Sequence, residues 1–221
     1  MGAGVRAVDS DWIVLLIGCV PDVPVQRVQS LLGALYTRDG HAGTEVVHMR
    51  TPEQLTRLRN GELDAAVIHH RREVPGVEMQ PLFAGERLCA FVPVAHSLAR
   101  PTPLAPGDFE LETLLVAPRA IDPPLHDRLM GALDAGGFQF RAMREVGGGH
   151  PRDVLLAVAE GRGVAIAAAS TLEVVGGTGT IVTAAEIAPE LPGPDTVIAW
   201  RAGDEPRLEP LIAAARDLHS V

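Results

Sequence analysis

Hydrophobic and polar positions along the first 70 residues follow the order strand, helix, strand, helix, strand. The unbroken apolar run Trp12–Val20 predicts a strand that is buried on both faces, which is typical of a parallel sheet. Apolar residues then recur every three or four positions over Val25–Leu35, which is helical spacing. Shorter apolar stretches at Glu45–Met49 and Leu63–Ile68 predict the next two strands. This alternation predicts an α/β fold with a parallel sheet.

The second helix has local signals at both of its ends. Residues 51–54 read Thr-Pro-Glu-Gln, in which Thr51 is expected to cap the helix, Pro52 suits its first turn and Gln54 completes a capping box. Gly61 predicts the end of the helix, because glycine readily takes the left-handed conformation there.

The remaining chain continues with short elements of both kinds. The plan of residues 58–68, a helix end, a glycine and a strand, recurs at residues 158–168. This internal repeat indicates either two similar α/β halves or a helix–glycine–strand junction that is common in α/β proteins. The predicted extended segments are Val77–Leu82, Leu88–Val94, Thr113–Val116, Arg141–Val146, Val164–Ala168 and Thr196–Trp200, and the predicted helices are Leu125–Ala135, Asp153–Glu160 and Leu208–Leu218.

The composition narrows the class of partner. The chain has 221 residues, 47% of them hydrophobic, which is enough to bury a core as one domain or as two small lobes. Its 19 Lys and Arg residues stand against 28 Asp and Glu residues, a net charge of −9. Because binding of a phosphate backbone relies on basic side chains, this balance does not favour a nucleic-acid-binding protein.

Cysteine content and hydropathy predict a cytoplasmic location. Met1–Asp11 contains no apolar core of signal-peptide length, and Trp12–Val20 is too short to span a bilayer, so no membrane partner is expected. Cys19 and Cys89 are too few for a disulfide framework, which favours a reducing compartment.

Motifs that would indicate an enzyme are absent from the sequence. It contains no Gly-x-Ser-x-Gly elbow, no dinucleotide fingerprint and no Walker loop. The adjacent His69 and His70 point to opposite faces if the strand continues, and no Cys or carboxylate has zinc-site spacing relative to them. We therefore expect a protein that is not an enzyme and has no cofactor or metal, although a Ser–His pairing between distant residues stays an open alternative.

Several segments resemble, in their order and spacing, the effector-binding domain of LysR-type transcriptional regulators. Together they cover nearly the whole chain, from about residue 12 to residue 218, and Ser97 stands where the family usually has proline. The segments are Leu16-Ile17-Gly18, Thr51–Leu55 with Gly61-Glu62-Leu63-Asp64, Pro81-Leu82 with Leu88–Pro93, His96-Ser97-Leu98-Ala99, Gly136–Phe140, Val154–Gly163 with Val164-Ala165-Ile166, and Ala199-Trp200-Arg201.

The resemblance implies a type 2 periplasmic-binding-protein-like fold, in which two α/β lobes are joined by two crossover strands. Lobe I would hold residues 12–86 and 197–221, lobe II would hold residues 87–196, and a small-molecule effector would bind in the cleft between them. The crossovers are expected near Gly85–Leu88 and Asp195–Val197.

The resemblance also implies partners. Relatives pair as homodimers, and the helix at Val25–Leu35 has an apolar face for this. The sequence contains no segment like the family's helix-turn-helix or linker helix, so we expect no DNA binding by this chain alone. It would be the sensing domain of a regulator or a free-standing binding protein, and an enzyme that reuses the cleft is a third possibility.

Three candidate ligand-binding residues lie in the first part of the chain. Asp22 stands where the family often has a hydroxyl residue, and it is otherwise a helix cap. Thr51 matches the family's second hydroxyl position, in addition to its expected capping role. His69 matches a polar cleft position, and it is otherwise an ordinary loop histidine. The negative charge of Asp22 favours a neutral or zwitterionic ligand over a simple carboxylate.

The other candidates lie in the second half. Pro118 and Arg119 follow a strand, and Arg119 is either a fork for a ligand carboxylate or a surface arginine. Gly148, Gly149 and His150 lead into a helix, where their amides either receive an anion or form a simple flexible turn.

Overall fold

The computed structural model describes residues 14–38, 43–70, 72–148, 150–174 and 181–219, and these form two compact units. Unit 1 takes the described residues of Met1–Val20, Val25–Ala84 and Asp195–Val221, and unit 2 takes those of Pro21–Pro24 and Gly85–Pro194. Apart from the short segment Pro21–Pro24, the chain leaves unit 1 after Ala84 and returns to it at Asp195.

The described residues contain ten strands and six α-helices, in agreement with the α/β architecture that the sequence predicts. Two short 3₁₀ helices, Pro106–Phe109 and Arg119–Ile121, are also present. The strands are β1 (Val14–Cys19), β2 (Gly43–His48), β3 (Ala65–His69), β4 (Val77–Phe83), β5 (Leu88–Pro93), β6 (Thr113–Val116), β7 (Ala142–Glu145), β8 (Ala165–Ala168), β9 (Val182–Glu186) and β10 (Thr196–Arg201), and the helices are α1 (Val25–Arg38), α2 (Thr51–Asn60), α3 (Pro123–Ala135), α4 (Pro151–Ala159), α5 (Thr171–Val174) and α6 (Glu205–His219).

Unit 1 is built on one five-stranded sheet with the order β2-β1-β3-β10-β4. Strand β1 runs parallel to β2 and β3, as the sequence predicts, and β10 runs antiparallel to β3 and β4. Every residue of β3 is buried, which explains its nearly unbroken apolar sequence. Leu58 of α2 packs with Ile68 of β3 and with Val197 and Ala199 of β10, so this helix covers one face of the sheet.

Unit 2 has a three-stranded antiparallel sheet, β8-β5-β9, and a separate parallel pair, β6-β7. Alternate residues of β5 enter two different core clusters, Ala90 on one side and Phe91 on the other. The first cluster also contains Phe109, whose ring lies 5.5 Å from the rings of Phe138 and Phe140, measured between centroids. Unit 2 therefore has a core of its own on both faces of its central strand.

The predicted elements all have counterparts in the structure, with bounds that agree within three residues where these are described. The predicted start of the first strand at Trp12 lies outside the described residues. Gly61 ends α2 as expected, with a φ angle of 72° and its N–H bonded to the carbonyl oxygen of Leu58 at 3.0 Å. Strand β9 was not predicted, because its sequence Val-Thr-Ala-Ala-Glu has little β propensity apart from its first two residues.

Each helix among the described residues is either too short or too polar to cross a bilayer.

Candidate functional site

The carboxyl ends of the parallel strands in unit 1 meet at one edge of its sheet. The loop after β2 joins the end of β1 there, because Met49 donates its N–H to the carbonyl oxygen of Cys19 at 3.0 Å. Val20, directly after β1, donates to the carbonyl oxygen of Val67 in β3 at the same distance of 3.0 Å. Helix α2 begins two residues after Met49, so its N-terminus lies at this edge. In open α/β sheets, ligands bind outside the carboxyl ends of the strands.

Buried polar side chains of unit 1 are concentrated at this edge. Thr51 and Gln54 occupy the first turn of α2, His69 is the last residue of β3, and Thr196 is the first residue of β10 and pairs with His69 in the sheet. We call these four residues the carboxyl-edge cluster. Two more polar side chains are buried elsewhere in the described chain, both in unit 2: Thr113 and Thr171.

The N-terminus of α2 is not capped by a side chain. Its N-cap residue is Arg50, with extended backbone angles of φ −80° and ψ 156°, and Arg50 makes no side-chain capping hydrogen bond. The prediction that Thr51 caps the helix is therefore wrong, because Thr51 is already inside the first turn. Its side chain is 1% exposed, and within the described residues its Oγ1 has no hydrogen-bond partner.

Gln54 does not complete a capping box either. Its Nε2 donates to the carbonyl oxygen of Met49 at 2.7 Å and so ties α2 to the loop before it. Its Oε1 is buried and, among the described residues, accepts no hydrogen bond. A Cβ on Gly18 would lie 2.6 Å from this oxygen and 3.0 Å from Cδ1 of Leu63, so glycine at this position lets the Gln54 side chain pack directly against β1.

The two adjacent histidines differ in environment. His69 is 5% exposed at the end of β3, whereas His70 is exposed and its backbone N–H donates to the carbonyl oxygen of Asp195 at 2.8 Å. His69 is therefore a buried strand residue and not a loop histidine. Its contact with a ligand stays a prediction.

Asp22 lies in the turn after β1 and is half-buried. Helix α1 begins at Val25, so its N-cap position is Pro24, and Asp22 precedes that position by two residues. Asp22 thus lies outside the first turn of α1, and its role as a helix cap stays a prediction. A ligand contact by Asp22 stays a prediction.

Arg119 of unit 2 already binds a carboxylate of its own chain. Its Nε and Nη2 donate to Oδ1 and Oδ2 of Asp127, both at 2.7 Å, and its backbone N–H donates to Oε1 of Glu145 at 3.1 Å. The hydrogen bonds from Arg119 lower the pKa of Asp127, which stays charged to a lower pH than usual. A ligand carboxylate that binds the Arg119 guanidinium group would have to displace Asp127. Pro118, half-buried, precedes Arg119 at the start of the 3₁₀ helix.

The N-terminus of α4 is capped by side chains of its own. Nδ1 of His150 accepts from the N–H of Arg152 at 3.2 Å, and Oδ2 of Asp153 accepts from the N–H of His150 at 3.3 Å. Asp153 thus occupies the His150 amide, and an anion that binds there would have to displace this carboxylate; a ligand contact by His150 stays a prediction. Gly148 has a φ angle of 83°, and an added Cβ would clash with Asp153. Gly149 lies outside the described residues.

Neither a metal centre nor a reactive thiol emerges from the described ranges. No three metal-ligating side chains converge within them. Both cysteines are buried and neither forms a disulfide, and burial raises the pKa of the Cys89 thiol, which keeps it protonated at neutral pH. The carboxyl-edge cluster of unit 1 is thus the arrangement best suited to hold a small polar molecule.

Comparison with known proteins gives one consistent result. A sequence model of the LysR substrate binding domain matches residues 14–220. The Hca operon transcriptional activator HcaR of Escherichia coli (strain K12) is 33% identical over 85 residues, which are 38% of this chain and only 28% of that activator.

Two solved structures show the same fold. The reduced OxyR regulatory domain from Pseudomonas aeruginosa matches with a TM-score of 0.72 and 20% identity, over 92% of this chain and 98% of that one. The BenM effector binding domain with its effector benzoate matches with a TM-score of 0.74 and 20% identity, over 94% of this chain and 92% of that one. These similarities confirm the expected fold class.

Proposed function

Because the chain belongs to the LysR substrate-binding-domain family, we propose that it senses a small-molecule effector at the carboxyl edge of the sheet in unit 1. One observation carries this location: the N-terminus of α2 has no side-chain cap, and the buried hydroxyl of Thr51 at that N-terminus has no partner among the described residues. The first amides of a helix and its dipole attract an acceptor group. A buried polar group without a hydrogen bond costs about 1–3 kcal/mol, which a ligand that pairs with it would recover.

The test of this proposal is a pair of substitutions at Thr51. We expect Thr51→Val, which keeps the shape of the side chain but removes the hydroxyl, to weaken effector binding about tenfold or more. Thr51→Ser, which keeps the hydroxyl, should bind nearly as well as the wild type. Binding is measured by thermal shift and then by calorimetric titration over a panel of small acids, amides and hydroxyl compounds. Equal binding by Thr51→Val and the wild type would contradict the proposal.

A binding role is favoured over catalysis. The family consists of regulatory domains, and no feature of the described residues favours an enzyme or a free-standing carrier. The expected positions of the ligand between the two lobes, and of Asp22, Pro118, Arg119 and Gly148 around it, stay predictions. They would complete a site that begins at Thr51 and His69.

Further parts of the proposal concern partners and location. We expect a homodimer that uses α1, no DNA binding by this chain alone, and a cytoplasmic location. The family membership supports the homodimer and the cytoplasmic location, and the net charge of −9 supports the absence of DNA binding. DNA contact would require a separate DNA-binding domain.

A further inference from the structure

The side-chain amide of Gln54 has a fixed orientation. Its Nε2 donates to the carbonyl oxygen of Met49 at 2.7 Å. Turning the amide over would bring Oε1 against that carbonyl oxygen, and two acceptors repel each other. Oε1 is therefore held as an acceptor that points away from Met49, toward Gly18 near the carboxyl end of β1.

This acceptor is buried without a donor. Gln54 is 0% exposed, and no described residue donates to its Oε1. An apolar side chain of the same length, such as methionine, would occupy this place without leaving an acceptor unpaired. A structural role for Gln54 explains its Nε2, which ties α2 to the preceding loop, but it leaves Oε1 unexplained.

A second polar atom on the same helix face limits what can pair with Oε1. Thr51 lies three residues earlier, so the two side chains are neighbours on the surface of α2, and Thr51 Oγ1 is also buried without a partner among the described residues. A hydroxyl can donate or accept, whereas the oxygen of an amide only accepts. A carboxylate would suit Thr51 but would be repelled by the partial negative charge on Oε1. A group that carries both a donor and an acceptor would suit both.

We propose that Gln54 is a specificity-determining residue, whose Oε1 accepts a hydrogen bond from an amide or hydroxyl group of the effector. This inference rests on the proposed function, because it names the class of ligand for that same site. Gln54 and Thr51 are 0% and 1% exposed, so the proposal requires a local opening of the first turn of α2 through which the ligand reaches these oxygen atoms. The site thereby selects an amide or alcohol over the matched carboxylate.

The experiment compares matched probes on matched variants. Benzamide is titrated against benzoate, and succinamide against succinate, by calorimetry. The proteins are the wild type, Gln54→Met, Gln54→Glu and Thr51→Val. Both Gln54 variants lose the Nε2 bond to Met49, but only Gln54→Met loses the acceptor. Circular dichroism and a thermal melt establish that each variant is folded.

The expected result is a change in selectivity and not merely in affinity. The wild type should bind an amide about tenfold more tightly than its matched acid, since one hydrogen bond separates the two. Gln54→Met should bring this ratio close to one, and Gln54→Glu should keep the preference for the amide. If Gln54 had a purely structural role, both of its variants would bind the amide and the acid more weakly by the same factor.

The other outcomes separate the two proposals. If no amide binds more tightly than its acid, or if Gln54→Met keeps the wild-type ratio, the inference about Gln54 is wrong. If Thr51→Val still weakens binding in that case, the proposed function stands. If neither Thr51→Val nor Gln54→Met alters the binding of any probe, both proposals fail.

Discussion

At the scale of single residues, the position of side chains at the start of α2 decides the chemistry of the site. The sequence Thr-Pro-Glu-Gln identified the helix start correctly, but Arg50 takes the N-cap position and Thr51 lies inside the helix. A shift of one residue turns a capping hydroxyl into a buried hydroxyl. Local sequence patterns do not fix a helix boundary to one residue, because the cap depends on the backbone of the preceding loop.

Gly18 provides a test at this scale. Gly18→Ala would place a Cβ 2.6 Å from Oε1 of Gln54 and 3.0 Å from Leu63, in a part of the sheet where neighbours are buried. We expect it to destabilise the protein by about 1–3 kcal/mol, as added volume does in a packed core. Urea unfolding measures the change.

Gly33→Ala is the matched control for Gly18→Ala. Gly33 lies within α1, and an added Cβ there would meet no atom within 4 Å. Because alanine favours a helix more than glycine, this substitution should stabilise the protein by roughly 0.5–1 kcal/mol. A Gly18→Ala protein as stable as the wild type would show that α2 does not pack as closely on β1 as described.

At the scale of elements, the sequence predicted those with a regular apolar pattern and missed those without one. The strand β3 and the helix α2 followed from hydrophobic spacing and from Gly61. Strand β9 did not, because it is held by pairing with β5 and not by its own propensity. Thr196 was overlooked as a site residue for a related reason: it joins His69 only through the antiparallel pairing of β10 with β3, across 127 residues of chain.

Helix α1 carries the proposed dimer contact. Its Leu31 and Leu35 are buried, whereas Val25 and Tyr36, eleven residues apart on one helix face, are 60% and 67% exposed. These two exposed apolar side chains are the part of α1 that the proposed dimer would cover. We expect a two-fold dimer in solution, and the double substitution Val25→Asp with Tyr36→Glu should convert it to a monomer.

Light scattering at high micromolar concentration measures this change in mass. The control is Ser30→Asp with Thr37→Glu, two exposed polar positions of α1 that receive the same added charge but lie roughly 100–140° around the helix from Val25 and Tyr36. The control protein should keep the mass of the dimer. A wild type that is monomeric under these conditions would show that α1 is not a dimer interface.

At the scale of the whole molecule, each of the two units has its own sheet and core, and the family assignment extends over both. The resemblance of short motifs in order along the chain was enough to predict the family and the fold class. It could not show which polar atoms are buried without a partner, since that depends on packing between segments far apart in sequence. Thr51 and Gln54 acquire their significance only from the folded structure.

The central claim is that the effector binds at the carboxyl edge of the sheet in unit 1. Its most direct test is hydrogen–deuterium exchange of the whole protein, measured with and without the panel compound that raises the melting temperature most. A ligand bound at the carboxyl edge of unit 1 should slow exchange of the amides at the start of α2, from Thr51 to Thr56, and around His69, because binding suppresses local opening there. Pro52 has no amide hydrogen, so the slower exchange is observed at the other residues from Thr51 to Thr56. Slower exchange elsewhere, with the start of α2 unchanged, would contradict the proposed site.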